Sequence, residues 1–219
     1  MNVHSVEWAV WSGGLVLAKK RVEEAERRQG ILNAALELFA SIGYDGTPVP
    51  RIAERAGVGA GTIYRYFENK EALVNALYRH WKGVFFETLA GDFDPTSPAQ
   101  RNFFGLVRAM ARFAREHPKA FAFLEFQYHA PYLDETSREF VARSMAPIDA
   151  FLVSAMEQGE LRASEPALIA SFVFGAYIGL VKAERAGAIV LDEAEVERVA
   201  RAFWNAFACR PNREQTDGP

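Results

Sequence analysis

Two short segments with apolar faces, separated by Ala56-Gly57-Val58-Gly59, constrain the fold of this chain more than any other feature. Thr47 followed by Pro48 reads as a helix N-cap with proline at the first helical position, and Val49, Ile52 and Ala53 give the following segment an apolar side. Gly57 supplies the freedom to take positive φ that a tight turn between two helices requires, and Val58 is a small anchor to lock them at a steep angle. The second helix begins after Gly59 with Ala60-Gly61-Thr62-Ile63-Tyr64. Upstream, Ile31, Leu32, Ala35, Leu36 and Phe39 recur at helical spacing until Gly43 stops the helix near Ser41. Downstream, Asn69 caps a fourth helix running to about Ala90. No alternating strand pattern with hairpin turns occurs in the 219 residues. The expected class is all-α, with about nine helices.

A short helix braced at such a turn fits the major groove of DNA while its neighbours reach the phosphates on either side. Charge supports that geometry modestly. Leu17 to Lys82 holds eleven basic residues against eight acidic ones, a net +3 in a chain whose total is −3, so the remainder carries about −6. A basic head on an acidic body suits a protein that meets a polyanion with one end. Tyr64-Arg65-Tyr66-Phe67-Glu68-Asn69-Lys70-Glu71 then places two phenols, a guanidinium and an ammonium between one short helix and the start of the next. Taken singly, Tyr64 and Tyr66 also read as core aromatics with surface hydroxyls, and Arg65 as a solvated charge. Phe67 is expected in the core.

These residues resemble the TetR family of bacterial transcriptional regulators. The likeness runs from about Arg27 to Leu73, through Ile31-Leu32-Asn33-Ala34-Ala35-Leu36-Glu37-Leu38-Phe39, Gly43-Tyr44-Asp45-Gly46-Thr47, Ile52-Ala53-Glu54-Arg55-Ala56-Gly57-Val58, Gly61-Thr62-Ile63-Tyr64-Arg65-Tyr66-Phe67 and Asn69-Lys70-Glu71-Ala72-Leu73. It implies that Thr47 caps the second helix and contacts a phosphate, and that Tyr64 and Tyr66 hold the DNA backbone. Lys70, with the amino end of the fourth helix, would hold another phosphate. Ala60, Gly61, Thr62 and Arg65 would face base edges. Gly59 stands where the family often has a capping serine, and Pro50 where many members carry a charge.

Beyond about Gly91 the resemblance fades. Asp92-Phe93-Asp94-Pro95-Thr96-Ser97-Pro98 reads as a linker, and helical stripes follow. Phe121-Ala122-Phe123-Leu124-Glu125-Phe126-Gln127-Tyr128-His129 is aromatic on nearly every side and has to be surrounded, and a long helix from about Asp134 to Gln158 carries Pro147, which should kink or break it. Aromatics with a few polar groups among such helices suit a small-molecule pocket, although each aromatic also reads as plain core. The family resemblance favours the pocket. The effector-binding candidates are Phe104, Val107, Arg108, Met110, Phe126, His129, Phe174 and Tyr177. Near the end, Leu168, Phe172, Gly175, Ala176 and Gly179 form a face with small residues, and Val196, Val199, Ala200, Phe203 and Phe207 form a second stripe beside Trp204. Such a pair either closes the monomer core or, as the family implies, supplies half of a four-helix dimer interface. The dimer candidates are Phe172, Gly175, Gly179, Val196, Val199, Phe203, Trp204 and Phe207.

The expected organisation is therefore a poorly ordered arm over 1–20, a helix-turn-helix DNA-binding domain over 21–73 with the fourth helix connecting to about 90, a helical effector-binding and dimerisation domain over 91–208, and a flexible tail over 209–219. In the arm, positive charge follows the apolar run, the reverse of a signal peptide, and the run is too short to span a bilayer. A single cysteine, Cys209, and four scattered histidines point to a reducing, cytoplasmic setting with no metal and no cofactor. No nucleophile-base pair, paired-carboxylate motif or phosphate loop supports an enzyme. The function expected is a repressor that binds a palindromic DNA operator as a homodimer and is released by a small apolar or aromatic effector. The alternative is a DNA-bound regulator whose body binds another protein.

Overall fold

The computed structural model describes residues 4–127 and 129–209. Among them are nine α-helices: α1 His4–Ile42, α2 Val49–Arg55, α3 Ala60–Tyr66, α4 Lys70–Ala90, α5 Ala99–Glu116, α6 Pro118–Phe126, α7 Glu135–Glu157, α8 Pro166–Arg185 and α9 Glu193–Phe207. The described residues form no strand beyond an isolated antiparallel bridge between Leu161 and Ala208. Helix α1 starts at His4 rather than near Arg21. Gly13 and Gly14 cost that helix about 1 kcal/mol each relative to alanine and do not end it. Residues 1–3 of the expected arm, and 210–219 of the expected tail, lie outside the described residues.

The chain divides into two compact units, and the division falls within α4, after Tyr78, rather than near residue 73. The first unit holds α1, α2, α3, the start of α4 and, from much later in the chain, His129–Tyr132. Its core is built from the apolar stripe of α1 (Ile31, Leu32, Ala35, Phe39) with Ile52, Ile63, Leu73, Val74 and Leu77, all nearly or fully buried. Gly43, at φ 73°, turns the chain out of α1 and donates its N–H to Phe39 O at 3.0 Å. Thr47 departs from expectation. It does not cap α2: it is fully buried, and its hydroxyl donates back to Gly43 O at 2.7 Å. The N-cap position falls to Pro48, which has no side-chain donor or acceptor to offer.

In the second unit, Phe103, Val107, Met110 and Phe113 give α5 a buried face. Helix α9 packs against α5, with Trp204 edge-on to Phe103 at 5.5 Å. Residues 120–124 of α6 are all buried, as an all-round apolar helix requires. Helix α7 is capped by Asp134, which accepts from Ser137 N at 2.7 Å, and it runs through Pro147 without a break. The linker segment before α5 is a hydrogen-bonded turn. Asp94 accepts from Thr96 N at 2.9 Å and from the Thr96 and Ser97 hydroxyls, while Asn102 Nδ2 donates to Asp94 O at 2.8 Å.

Candidate nucleic-acid interface and apolar cavity

Helices α2 and α3 are held by three inward residues of α2, Val49, Ile52 and Ala53, and by Ile63 of α3, which is 1 % exposed. Ile63 is the anchor of the pair; Val58, expected in that role, is half-exposed. Gly57 has φ 66°, and the turn closes through Gly57 N to Glu54 O at 3.1 Å and Val58 N to Ala53 O at 3.0 Å. This conformation is left-handed and costs a residue with a Cβ roughly 1–2 kcal/mol.

With Ile63 turned inward, Gly61, Tyr64 and Arg65 face solvent, while Ala60, Thr62 and Tyr66 are half-buried. A Cβ added at Gly59 or Gly61 would meet nothing within 4 Å, so the amino end of α3 is open to close approach. Arg65 leans on its neighbour: its guanidinium carbon lies 5.1 Å from the Tyr66 ring centroid and Nη2 donates to the Tyr66 hydroxyl at 3.1 Å. Arg55 is paired with Glu37, and Arg28 lies 5.2 Å above the ring of Phe67, which is buried as expected.

Two sequence candidates for phosphate contact are engaged elsewhere. Thr47 is buried with its hydroxyl already bonded, because Gly43 O sits one helical turn behind it. Lys70 donates to Tyr44 O and lies 3.9 Å from the Tyr44 ring centroid. Desolvation lowers its pKa, against the opposing pull of Asp45 and Glu71. Asn69 caps α4 as expected, accepting from Ala72 N at 2.7 Å.

His129 belongs to this unit as well, which corrects its assignment to an effector pocket. Helix α6 ends at Phe126, and His129 Nδ1 lies 2.7 Å from the Tyr132 hydroxyl while its ring meets Tyr78 edge-on at 5.1 Å. Tyr132 stacks on Tyr44 at 4.2 Å, and its carbonyl accepts from Asn75 Nδ2 at 2.7 Å. Burial, with the charges of Asp45 and neighbouring tyrosines, pushes the Tyr132 phenol up to about 12.

The second unit has an apolar cavity of about 280 Å³ lined by residues of α4, α5, α7 and α8. Three of the predicted effector residues, Val107, Met110 and Phe174, line it. The other candidates in this unit lie elsewhere. Phe104 is half-buried outside the lining, and Arg108 is at the surface, 2.8 Å from Glu197. Phe126 lies under Lys182 and Arg185, at 5.3 and 5.1 Å. Tyr177 is buried beside a separate hollow with Phe121 and Arg115, and burial pushes its phenol up to about 12 against the pull of Arg115 and with that of Glu184. Two helices gave no candidate at all, α4 (Lys82, Phe85, Phe86, Leu89) and α7 (Val141, Met145, Ile148, Leu152), and α5 and α8 contribute further lining residues such as Phe103 and Ile169. The first group does carry a sequence signal: Tyr78, Lys82, Phe85 and Leu89 form one helical stripe, and a lysine within it is conspicuous.

Of the dimer candidates, Phe172, Gly175 and Gly179 form an exposed stripe on α8, with Leu168 continuing it. Val196, Phe203 and Trp204 are instead buried in the chain's own core, because α9 turns its apolar face to α5 and α8. Val199 and Phe207 are half-buried.

Comparison with known proteins follows the same division. Residues 31–77 match the model of the bacterial regulatory proteins of the tetR family, and residues 82–209 match that of a tetracyclin repressor-like C-terminal domain. The chain is 29 % identical over 134 residues to the fatty acid metabolism regulator protein of Bacillus subtilis, covering 60 % of this chain and 69 % of that one. It is 27 % identical over 201 residues to the HTH-type transcriptional regulator LuxR of Vibrio harveyi, covering 90 % and 95 %. A crystal structure of a TetR family transcription regulator from Marinobacter aquaeolei VT8 has the same fold, with TM-score 0.79 and 21 % identity over 88 % of this chain and 100 % of that one. The chain therefore belongs to the TetR family of bacterial regulatory proteins, and it is a helix-turn-helix DNA-binding transcriptional regulator, not an enzyme.

Proposed function

We propose that this protein is a ligand-responsive repressor that binds a palindromic operator as a homodimer and is released by a small, largely apolar effector. The observation that carries the reading is the apolar cavity of the second unit, lined by four helices of a chain whose other unit is a DNA-binding module. Its volume approaches the usual range of ligand pockets, about 300–1,000 Å³. The B. subtilis relative named as a regulator of fatty acid metabolism is consistent with an apolar effector.

The α8 stripe supports the homodimer. Helix α8 is apolar enough in composition to cross a membrane, yet only 22 % of its apolar window is buried within the chain. In a DNA-binding protein such a face calls for a second copy, and a two-fold dimer presents two recognition helices to the two halves of a palindrome. Within each copy, Tyr64 and Tyr66 position the protein on phosphate, while Ala60, Gly61, Thr62 and Arg65 read bases. The effector acts by binding one spacing of the two recognition helices better than the other, a coupling typically of about 1–3 kcal/mol.

Fluorescence anisotropy with DNA from the promoter upstream of the gene tests this reading. A sequence-selective, salt-sensitive complex of two copies per site is expected, released by a cavity ligand. Absence of selectivity at moderate salt would remove the operator reading. Arg65→Ala is expected to keep non-specific affinity within a few-fold and to relax selectivity by about 1–3 kcal/mol at the base it reads.

A further inference from the structure

We infer that the cavity is built for an amphipathic anion, an acidic head on an apolar body, with Lys82 receiving the head; the inference rests on reading the cavity as the effector site. Lys82 and Ser171 are the polar residues among the described lining, and Lys82 is the charged one. The lysine is 8 % exposed, and its ammonium lies 5.5 Å from the ring centroids of both Phe85 and Phe174, two walls of the cavity. Its carboxylate partner, Glu125, holds Nζ at 2.7 Å and is as buried as the lysine, but it does not line the cavity. The ammonium thus lies close to two walls of the cavity, while its carboxylate partner stays outside the lining.

Stability alone does not account for the pair. Burying two charges carries a desolvation penalty that their attraction offsets only in good geometry, and apolar residues of similar volume in such places are often as stable or more so. At position 82 a leucine or methionine would continue the stripe of Tyr78, Phe85 and Leu89. An ammonium at the wall of an apolar cavity gains its use when a ligand brings an acceptor. It has three N–H donors, so one can stay on Glu125 while another meets an incoming carboxylate or similar acid. A neutral ligand of the same body forgoes that charge-assisted hydrogen bond, and a cationic one meets repulsion.

Isothermal titration of the full chain with decanoate, 1-decanol and decyltrimethylammonium, each below its micellar concentration, tests the inference. Decanoate is expected to bind at least about tenfold more tightly than decanol, with the cation weakest. Because Lys82→Met alone would strand a buried carboxylate, the informative variant is Lys82→Met with Glu125→Gln. It should bind decanol as the natural chain does and lose the preference for decanoate. Glu125→Gln alone, which frees the ammonium from its internal carboxylate, should tighten decanoate further. Equal affinity for decanoate and decanol, or a preference that survives in the double variant, overturns the head-group assignment while leaving an apolar effector site in place. Binding of none of the three probes overturns the effector-site reading itself.

Discussion

Lys70, the first residue of α4, donates its ammonium to the carbonyl of Tyr44 and lies 3.9 Å from the centre of that residue's ring, fixing the turn that leads into α2. Tyr44 is held on its other side by the Tyr132 ring at 4.2 Å. Removing the ammonium while keeping the aliphatic chain, as in Lys70→Met, breaks both a charge-assisted hydrogen bond and a cation–π contact. The expected loss is about 1–3 kcal/mol in the stability of the first unit, measured by urea unfolding. Operator affinity should fall with it. A variant that loses DNA affinity with unchanged stability would show that Lys70 acts on phosphate and not through Tyr44.

Gly57 and Gly59 bracket the same turn and should respond in opposite directions. At Gly57, φ 66° makes any Cβ unfavourable although space is open, so Gly57→Ala should destabilise the chain by about 1–2 kcal/mol. Gly59 is the N-cap of α3 at φ −72°, a Cβ placed there would have no neighbour within 4 Å, and no side chain caps the helix. Gly59→Ser supplies the missing acceptor and should stabilise by a few tenths of a kcal/mol. Thermal unfolding of the two variants reads both signs.

The helices and the turn are legible in the sequence because apolar spacing and glycine punctuation are local signals: Ile31 to Phe39, Gly57 and Asn69 all act where the pattern places them. Thr47 misleads because Thr-Pro satisfies the pattern of an N-cap equally well when the hydroxyl turns back to Gly43 O, and only the packed structure decides between the two roles. His129 and Lys82 mislead for a longer-range reason. His129 joins a unit assembled mostly from residues 1–78, so no window around it contains its partners Tyr78 and Tyr132 together. Lys82 belongs to the basic head by position, whereas its partner Glu125 is 43 residues away.

Phe172 on one apolar stripe and Trp204 beside the next both suggest dimer contacts in the sequence, and the structure separates them into different tests. Phe172 is 48 % exposed on α8 and Trp204 is 6 % exposed against Phe103. Phe172→Glu is expected to leave the chain folded and shift sedimentation from dimer to monomer. Trp204→Ala is expected to cost about 3–5 kcal/mol of folding stability through the cavity it leaves. Unchanged self-association in Phe172→Glu would remove the α8 stripe from the interface.

Asp134 gives the second unit a defined response to acid. Its Oδ1 caps α7 through Ser137 N at 2.7 Å, and Arg79 Nη1 lies 3.2 Å from both carboxylate oxygens while also donating to the Ser137 hydroxyl at 2.7 Å. Burial acts to raise the pKa, but the hydrogen bonds from Ser137 and the charge and hydrogen bond of Arg79 outweigh it, so the carboxyl sits below its ordinary value of 3.8. A carboxyl depressed in this way binds its proton less tightly in the folded state than in the unfolded chain. The stability it contributes is therefore complete above the unfolded pKa and is lost as pH falls through the folded one. Solvent reaches almost half of the side chain, which limits the ion pair to under about 1 kcal/mol, with the cap contributing about 1 kcal/mol more. Asp134→Asn keeps a capping oxygen and removes the charge. The difference in urea stability between the natural chain and this variant should be flat from about pH 5 to 8 and shrink towards zero below the folded pKa. A difference that persists unchanged in acid would show that Asp134 acts on α7 through its shape and not through its charge.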